Sequence, residues 1–272
     1  MGNGDITRFY DVLRFDGGAC REEPLELIVE EPLLIRVDGR AYSVVMRTPG
    51  EEVAHAAGFC LGEGIADEPA HLAGVGHCAD VDPNVVDVRL DPDRREAVED
   101  VLARRGFVSQ TSCGICGKEL AADLVQRVTP MADAFSLPLA DLEACLETLA
   151  RSQKHYRTTR GSHAALLLDG DLAPVSFAED VGRHNALDKA IGKAFLAGTL
   201  PGVPILVLSS RVSYELVQKA ARARIPVLMS ASRPTALAVD MACSLNMAVA
   251  FSADDAAVTV VCGEDRIVRP SG

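Results

Sequence analysis

Ile205-Leu206-Val207-Leu208-Ser209-Ser210-Arg211-Val212-Ser213 and Val227-Leu228-Met229-Ser230-Ala231-Ser232-Arg233-Pro234-Thr235 follow one grammar. Each opens with a short, unbroken apolar run, passes through small hydroxyl residues and one arginine, and enters a stretch with helical periodicity. The helices are expected over Tyr214–Arg224 and Thr235–Ser244. A third apolar run, Met247–Phe251, follows, and Val258–Cys262 is placed to close the sheet. Short strands that are apolar throughout are covered on both faces, so this half reads as an α/β layered domain built on parallel strands. In such folds ligands bind where strands hand over to helices. Free N–H groups at a helix start, the helix dipole and a guanidinium together make a phosphate site. Ser209, Ser210, Arg211, Ser230, Ser232 and Arg233 are therefore candidate ligand contacts. The plainer reading, ordinary Ser/Thr caps beside a solvated arginine, is weakened by the repetition. Neither G-x-x-x-x-G-K-[ST] nor G-x-G-x-x-G occurs.

Working outward, His163–Leu168, the turn Asp169-Gly170-Asp171 and Leu172–Phe177 form an expected hairpin. Asn185–Leu196 reads as a helix burying Leu187, Ile191, Ala194 and Phe195. Leu137–Ser152, with Leu139, Leu142, Leu146 and Leu149 at helical spacing, reads as a core-facing or interdomain helix. Just before the Asn185 helix, Glu179-Asp180-Val181-Gly182-Arg183-His184-Asn185-Ala186-Leu187-Asp188-Lys189 crowds polar and charged residues together. Its plainer reading is a solvated, well-capped helix start with His184 and Asp188 paired at i, i+4. Its functional reading uses Gly182 for close backbone approach and Arg183 as a planar fork for carboxylate or phosphate, with His184 and Asn185 beside it.

The chain before residue 131 has a different texture. Its first 23 residues show little periodicity and read as an edge or a tail. Leu25–Leu27 alternates, and Leu33–Val37 and Ala41–Met46 flank Asp38-Gly39, a strong hairpin signal. Thr48, Pro49 and Glu51 are expected to cap a helix running to Leu61, with Gly62 and Gly64 ending it. Val85–Leu90 reads as a strand, Asp93–Arg105 as a helix stopped by Gly106. The expected organisation is an N-terminal segment, 1–23, a small α+β domain, 24–130, and the α/β domain, 131–272.

Composition narrows the function classes. The chain has 272 residues, 48% apolar and 24% charged, and a mean hydropathy of +0.14. Folding a chain this long hides roughly 73% of its extended surface, enough for a core without disulfides. These values exclude a disordered tail or a fibrous repeat. A net charge of −12 argues against a nonspecific nucleic-acid binder, so an anionic ligand must be held locally. No uncharged apolar tract reaches the roughly 18 residues of a membrane span. The start lacks a secretory or myristoylation pattern, so the expectation is a cytoplasmic protein with reduced thiols. Cys20, Cys60, Cys78, Cys145, Cys243 and Cys262 are scattered and read as small buried hydrophobes.

Cys113 and Cys116 differ. Thr111-Ser112-Cys113-Gly114-Ile115-Cys116-Gly117-Lys118 sets two thiols three positions apart on a glycine-flanked turn before an expected helix, Glu119–Val128. Helix N–H groups and the Lys118 ammonium favour thiolate, the nucleophilic form. Four readings stand: a zinc site, for which no second C-x-x-C or close His pair supplies the other ligands; a redox pair, without the residues usual in thioredoxin-type motifs; a buried structural pair; and a nucleophilic, sulfur-carrying pair. The last is the reading favoured here, and no metal site is expected.

Taken together, Glu31-Pro32-Leu33, Met46-Arg47-Thr48-Pro49-Gly50, Cys113–Lys118, Glu179–Lys189 and the Ser-Arg loops with Gln218-Lys219-Ala220 resemble the formate dehydrogenase accessory sulfurtransferase family, FdhD/NarQ. The resemblance runs over about residues 24–270. It implies a cytidine-deaminase-like α/β/α fold for the second half and a homodimer. It also implies a cytoplasmic sulfur relay, in which a cysteine desulfurase hands sulfur to Cys113 and Cys116 as a persulfide. The acceptor is the molybdenum cofactor in its bis(molybdopterin guanine dinucleotide) form, bound as substrate before it enters formate dehydrogenase. The same resemblance points to Phe251, Ser252, Ala253, Asp254, Asp255 and Ala256 as cofactor contacts, although this segment carries no basic residue. Two other readings remain: a non-catalytic cofactor-binding chaperone, and a zinc-dependent deaminase-like hydrolase. The hydrolase's H-x-E and the proline before its first cysteine are missing.

Overall fold

The computed structural model describes residues 6–77, 80–104, 128–131, 135–253 and 257–269. Cys78, the Cys113–Cys116 loop and its expected following helix, and Asp254 to Ala256 lie outside the described residues.

Where an edge or tail is expected over the first 23 residues, and a strand pattern from Leu25, the chain makes a long antiparallel hairpin, β1 (Thr7–Asp16) and β2 (Ala19–Ile28). Gly17 and Gly18 form its turn with φ of 55° and 92°, a left-handed pair that glycine adopts without strain. β2 runs through the expected boundary at residue 23. Among the described residues the hairpin stands as its own two-stranded sheet, and it leaves Phe9, Leu13 and Phe15 exposed on one face.

A second sheet follows, in the order β4-β3-β6-β5, from β3 (Glu31–Val37), β4 (Arg40–Arg47), β5 (Leu72–His77) and β6 (Val85–Leu90). Asp38 and Gly39 turn the β3–β4 hairpin with positive φ, as the sequence predicts. α1 (Glu52–Gly62) packs behind this sheet. Its expected cap is corrected. The N-cap is Glu51, in the left-handed region and without a side-chain cap bond; Glu52 Oε1 instead accepts from Gly50 N at 2.6 Å. The single helix expected over 93–105 divides into α2 (Pro92–Ala97) and α3 (Glu99–Arg104) at Val98, whose backbone, φ −111° and ψ 12°, leaves the helical region.

The third sheet has six strands in the order β13-β12-β11-β10-β8-β9. They are β8 (His163–Leu168), β9 (Pro174–Asp180), β10 (Ile205–Leu208), β11 (Val227–Ser230), β12 (Ala248–Phe251) and β13 (Thr259–Cys262). β10, β11 and β12 are parallel, and β8 and β13 flank them antiparallel. The repeated strand–helix grammar thus holds, with α6 (Arg183–Leu196), α7 (Tyr214–Arg222) and α8 (Ala236–Ser244) following β9, β10 and β11.

Alternate residues along each strand separate two cores. Leu167, Leu206, Leu208, Leu228 and Val249 face α6, α7, α8 and, beyond them, α1 and the second sheet. Leu166, Ile205, Val207, Val227 and Met229 face α4 (Leu139–Ser152) through Leu142, Cys145 and Leu149. Leu137 and Pro138, expected as the start of that helix, form a short strand β7 paired with β14 (Ile267–Val268). A one-turn helix, α5 (His155–Thr159), precedes β8. α1 and α6 cross at Gly58 and Gly192, where a side chain on either would collide with the other helix's backbone. Among the described residues no helix is long and apolar enough to cross a membrane.

Candidate functional site

The carboxyl ends of β9, β10, β11 and β12 share one edge of the six-stranded sheet, and the start of β8 lies there too, with His163 opposite Asp180. The helix starts at Arg183, Tyr214 and Ala236 open onto this edge. Two of the three helices, α6 and α7, have no side-chain cap bond, so their first N–H groups keep their partial positive charge for a ligand.

The two Ser-Arg loops lie side by side. Val212 and Pro234 form a parallel bridge, and Thr235 N donates to Val212 O at 2.9 Å. Arg211 and Arg233, each the residue before a bridged position, are exposed on adjacent loops. The serines are engaged within the protein. Ser209 Oγ accepts from Ala164 N at 2.8 Å, and Ser210 Oγ donates to Arg211 O at 3.3 Å. Ser230 Oγ donates to Ser210 O at 2.8 Å and accepts from Ser232 N at 3.0 Å. These hydroxyls shape the loops, on which Arg211 and Arg233 are exposed and Ser232 is half-buried. Phe251 and Ser252, half-buried, and Ala253, exposed, follow β12 on the same edge, where Ser252 N donates to Ser230 O at 3.0 Å.

The Glu179–Lys189 cluster divides into separate jobs. Glu179 accepts from the backbone N–H groups of Lys154, His155 and Tyr156 and from Ser162 Oγ, at 2.8 to 2.9 Å, so it caps α5. Asp180 pairs with Lys189 at 2.7 Å and accepts from Thr48 N at 3.1 Å. Lys189 donates to Thr48 O at 2.7 Å, and Val181 N to Thr48 Oγ1 at 3.0 Å. Asn185, buried, donates to Met46 O at 2.6 Å and Asp180 Oδ1 at 2.9 Å. The Met46–Thr48 corner and this cluster are therefore one structure, a latch between the two sheets, and Asn185 belongs to the latch.

The expected His184–Asp188 pairing is corrected. His184 Nε2 lies 2.9 Å from Glu215 Oε2 and 3.4 Å from Ser213 Oγ, joining the starts of α6 and α7. Asp188 points inward to Lys219 Nζ at 2.7 Å, both buried. Both residues lie on the face toward α7, and α7 supplies each with its own partner, Glu215 in its first turn for His184 and Lys219 further along for Asp188.

Arg183 is half-buried at the mouth of α6, and its Nε is enclosed without a hydrogen-bond partner. Burial first, then the Arg183 charge, holds His163 below its ordinary pKa. The hydrogen bond from His184 holds the Glu215 carboxyl low. Arg183, Arg211 and Arg233 set three guanidinium groups along this edge, with the Glu215 carboxylate beside them, in a chain of net charge −12. His163 and Glu215 were not expected here. The signal for His163 was its position as the first residue of an edge-reaching strand. Among the described residues no group of three His, Cys, Asp or Glu side chains is placed to hold a metal ion.

The described chain leaves at Arg104 and returns at Val128. Arg224 holds the carbonyls of Thr129 and Pro130 at 2.7 and 3.3 Å, and Met131 N donates to Leu245 O at 2.9 Å. Arg224 and Leu245 precede β11 and β12, so the chain returns at the sheet edge opposite the arginines.

The lone cysteines are corrected in part. Cys60, Cys145 and Cys262 are buried as expected, whereas Cys20 and Cys243 are exposed.

Comparison with known proteins bears on this geometry. A family model described as the FdhD/NarQ family matches residues 28–268. A sulfur carrier protein FdhD of Anaeromyxobacter dehalogenans is 43% identical over 243 residues, covering 85% of this chain and 83% of that protein. One of Streptomyces avermitilis is 39% identical over 276 residues, covering 97% and 96%. A crystal structure from Desulfotalea psychrophila, designated a formate dehydrogenase accessory protein, is 21% identical, covers 97% of this chain and 100% of that one, and superposes with a TM-score of 0.78. That likeness shows the fold.

Proposed function

The chain belongs to the FdhD/NarQ family, and from that premise we propose that it is a cytoplasmic sulfur carrier serving the maturation of formate dehydrogenase. The observation that supports this most directly is the edge where Arg183, Arg211 and Arg233 meet the starts of α6, α7 and α8. A substrate bearing pyrophosphates, such as the bis(molybdopterin guanine dinucleotide) form of the molybdenum cofactor, suits that edge. Guanidinium groups and open N–H groups would hold its phosphates, and Phe251 to Ala253 would border it. In the same reading the six-stranded domain is cytidine-deaminase-like and the protein works as a homodimer.

The sulfur chemistry falls to Cys113 and Cys116, and the reading makes the protein a sulfurtransferase. A Cys113 thiolate attacks the terminal sulfur of a cysteine desulfurase persulfide. The new S–S bond forms on Cys113, the desulfurase cysteine leaves as thiolate, and Cys113 carries the sulfane sulfur. Cys116 shares or resolves it before transfer to the cofactor. Delivery to the arginine edge is set against the length of chain that carries the thiols. Cys113 stands nine positions after Arg104, and Cys116 twelve before Val128, tethers of at most roughly 30 and 40 Å. A four-residue strand spans only about 13 Å.

The test is intact-protein mass after incubation with a cysteine desulfurase and cysteine. The expected result is a gain of one sulfur atom, released by dithiothreitol and lost in Cys113→Ala. If formate dehydrogenase stays active in cells whose only copy carries Cys113→Ala and Cys116→Ala, sulfur carriage is rejected and a cofactor-binding chaperone takes its place.

A further inference from the structure

The two outer edges of the β1–β2 hairpin differ in what they offer. Val29 N donates to Ile6 O at 2.8 Å, so Ile6 and Val29, next in register after Thr7 and Ile28, are a hydrogen-bonded pair. Such pairs alternate along an antiparallel ladder, so the even-numbered residues of β1 turn their peptide groups toward β2. Thr7, Phe9, Asp11, Leu13 and Phe15 turn theirs outward, and none is a proline. On β2 the same alternation puts Pro24, opposite Asp11, among the outward residues, where it interrupts the row of donors. Among the described residues β2 is the only strand paired with β1, and Phe9, Leu13 and Phe15 are 67%, 58% and 75% exposed. A long edge without proline or lysine is a template for another strand.

We propose that this edge pairs with β1 of a second copy of the chain, antiparallel about a twofold axis at Val12, to give one four-stranded sheet across a homodimer. Charge and ring complementarity along the strand selects that register. Opposite residues of an antiparallel ladder share a face, so the allowed registers slide in steps of two residues. With the axis at Val12, Arg8 faces Asp16 of the second copy, Tyr10 faces Arg14, Phe9 faces Phe15 and Asp11 faces Leu13. The first is an ion pair, the second a cation–π contact and the third an aromatic pair, and symmetry repeats each. Arg14 comes to Tyr10 already steadied by Glu23 at 3.0 Å. An axis at Asp11 would set Arg8 against Arg14 and Asp11 against its own copy; one at Leu13 would bring no opposite charges together. The outward pairs Phe9–Phe15 and Asp11–Leu13, with their symmetry mates, exchange about eight backbone hydrogen bonds. Arg8–Asp16 and Tyr10–Arg14 fall at the positions between, where opposed side chains stand closest. The inference rests on the homodimer reading given above and on no part of the sulfur chemistry.

The test uses the full chain. Light scattering during gel filtration reads the oligomeric state, and Val12→Cys under copper–phenanthroline oxidation reads the axis. At a non-hydrogen-bonded pair the two α-carbons stand roughly 4.5 Å apart, within disulfide reach. The expected result is a dimer that Val12→Cys makes covalent, reversibly with dithiothreitol, while the unsubstituted protein and Tyr10→Cys stay uncross-linked. Asp16→Arg sets like charges opposite each other twice and is expected to weaken the dimer about tenfold or more; adding Arg8→Asp is expected to restore it. A dimer in which Val12→Cys fails to cross-link, or Tyr10→Cys cross-links equally, overturns the proposal and leaves the homodimer reading standing with its contact elsewhere. So does a dimer that Asp16→Arg leaves unchanged, or that the double exchange fails to restore. A monomer at micromolar concentration overturns both.

Discussion

Gly58 and Gly192 meet backbone to backbone where α1 crosses α6. A β-carbon on Gly192 would stand 1.8 Å from the carbonyl oxygen of Ala54, and one on Gly58 1.9 Å from that of Asp188. In most helix interiors Gly→Ala stabilises, by up to about 1 kcal/mol. Here the sign reverses. Gly192→Ala and Gly58→Ala are each expected to destabilise by about 1–3 kcal/mol or more, as overpacking does. Urea unfolding monitored by circular dichroism reads the shift in midpoint, and an unchanged or raised midpoint would refute the contact.

Asp188 and Lys219 form a buried ion pair at 2.7 Å, and Lys219 threads past Gly62 to reach it. Removing one partner leaves the other charged and unsolvated. Lys219→Met is expected to cost about 3–5 kcal/mol, and adding Asp188→Leu to restore most of it. A double-mutant cycle measures the coupling; purely additive losses would contradict a direct pair.

His55 is wholly buried on α1, and burial first, then the charges of Lys189, Lys219 and Arg47, hold its pKa well below the ordinary 6.5. Above pH 6.5 it is neutral in both folded and unfolded chains and contributes no pH dependence. Below that, the unfolded chain takes up a proton that the folded one refuses. Stability should therefore fall with falling pH, by up to about 1.4 kcal/mol per unit for this group. His163, lowered for the same first reason, acts in the same direction. His55→Leu is expected to flatten the slope between about pH 6.5 and 5 by one proton's worth, measured by denaturant titrations at each pH.

Arg211→Ala and Arg233→Ala are each expected to weaken guanosine diphosphate binding about tenfold or more, as loss of a charge-assisted hydrogen bond does. Melting temperatures should hardly move, since both side chains are exposed. Asn185→Ala is expected to behave oppositely, lowering stability because its amide ties Met46 O to Asp180. Calorimetric titration alongside thermal melts separates the two classes. Equal stability losses for all three would discredit the assignment of roles.

What could be read in the sequence was what depends on local chemistry. The apolar runs at Ile205 and Val227, the turn at Asp38-Gly39 and the helix after Gly182 all carry their signals within a few residues. What escaped depends on partners distant in the chain. Thr48 looks like a helix cap until Asp180, Val181 and Lys189 claim its backbone and hydroxyl. Asp188 looks exposed until Lys219 arrives from α7. The serines of the two loops look like ligand donors until the neighbouring strand takes them. The β1–β2 hairpin was missed for a different reason. Its Gly17-Gly18 turn was legible, but strands exposed on both faces lack the apolar alternation that marks a half-buried strand.

The glycine crossing also limits what the interior can accommodate. Peptide groups pressed together without side chains between them set the closest approach of α1 and α6, so the spacing of the two helices is fixed by backbone and not by side-chain packing. A methyl group at either position would have to push the two backbones apart, and with them the elements each helix carries.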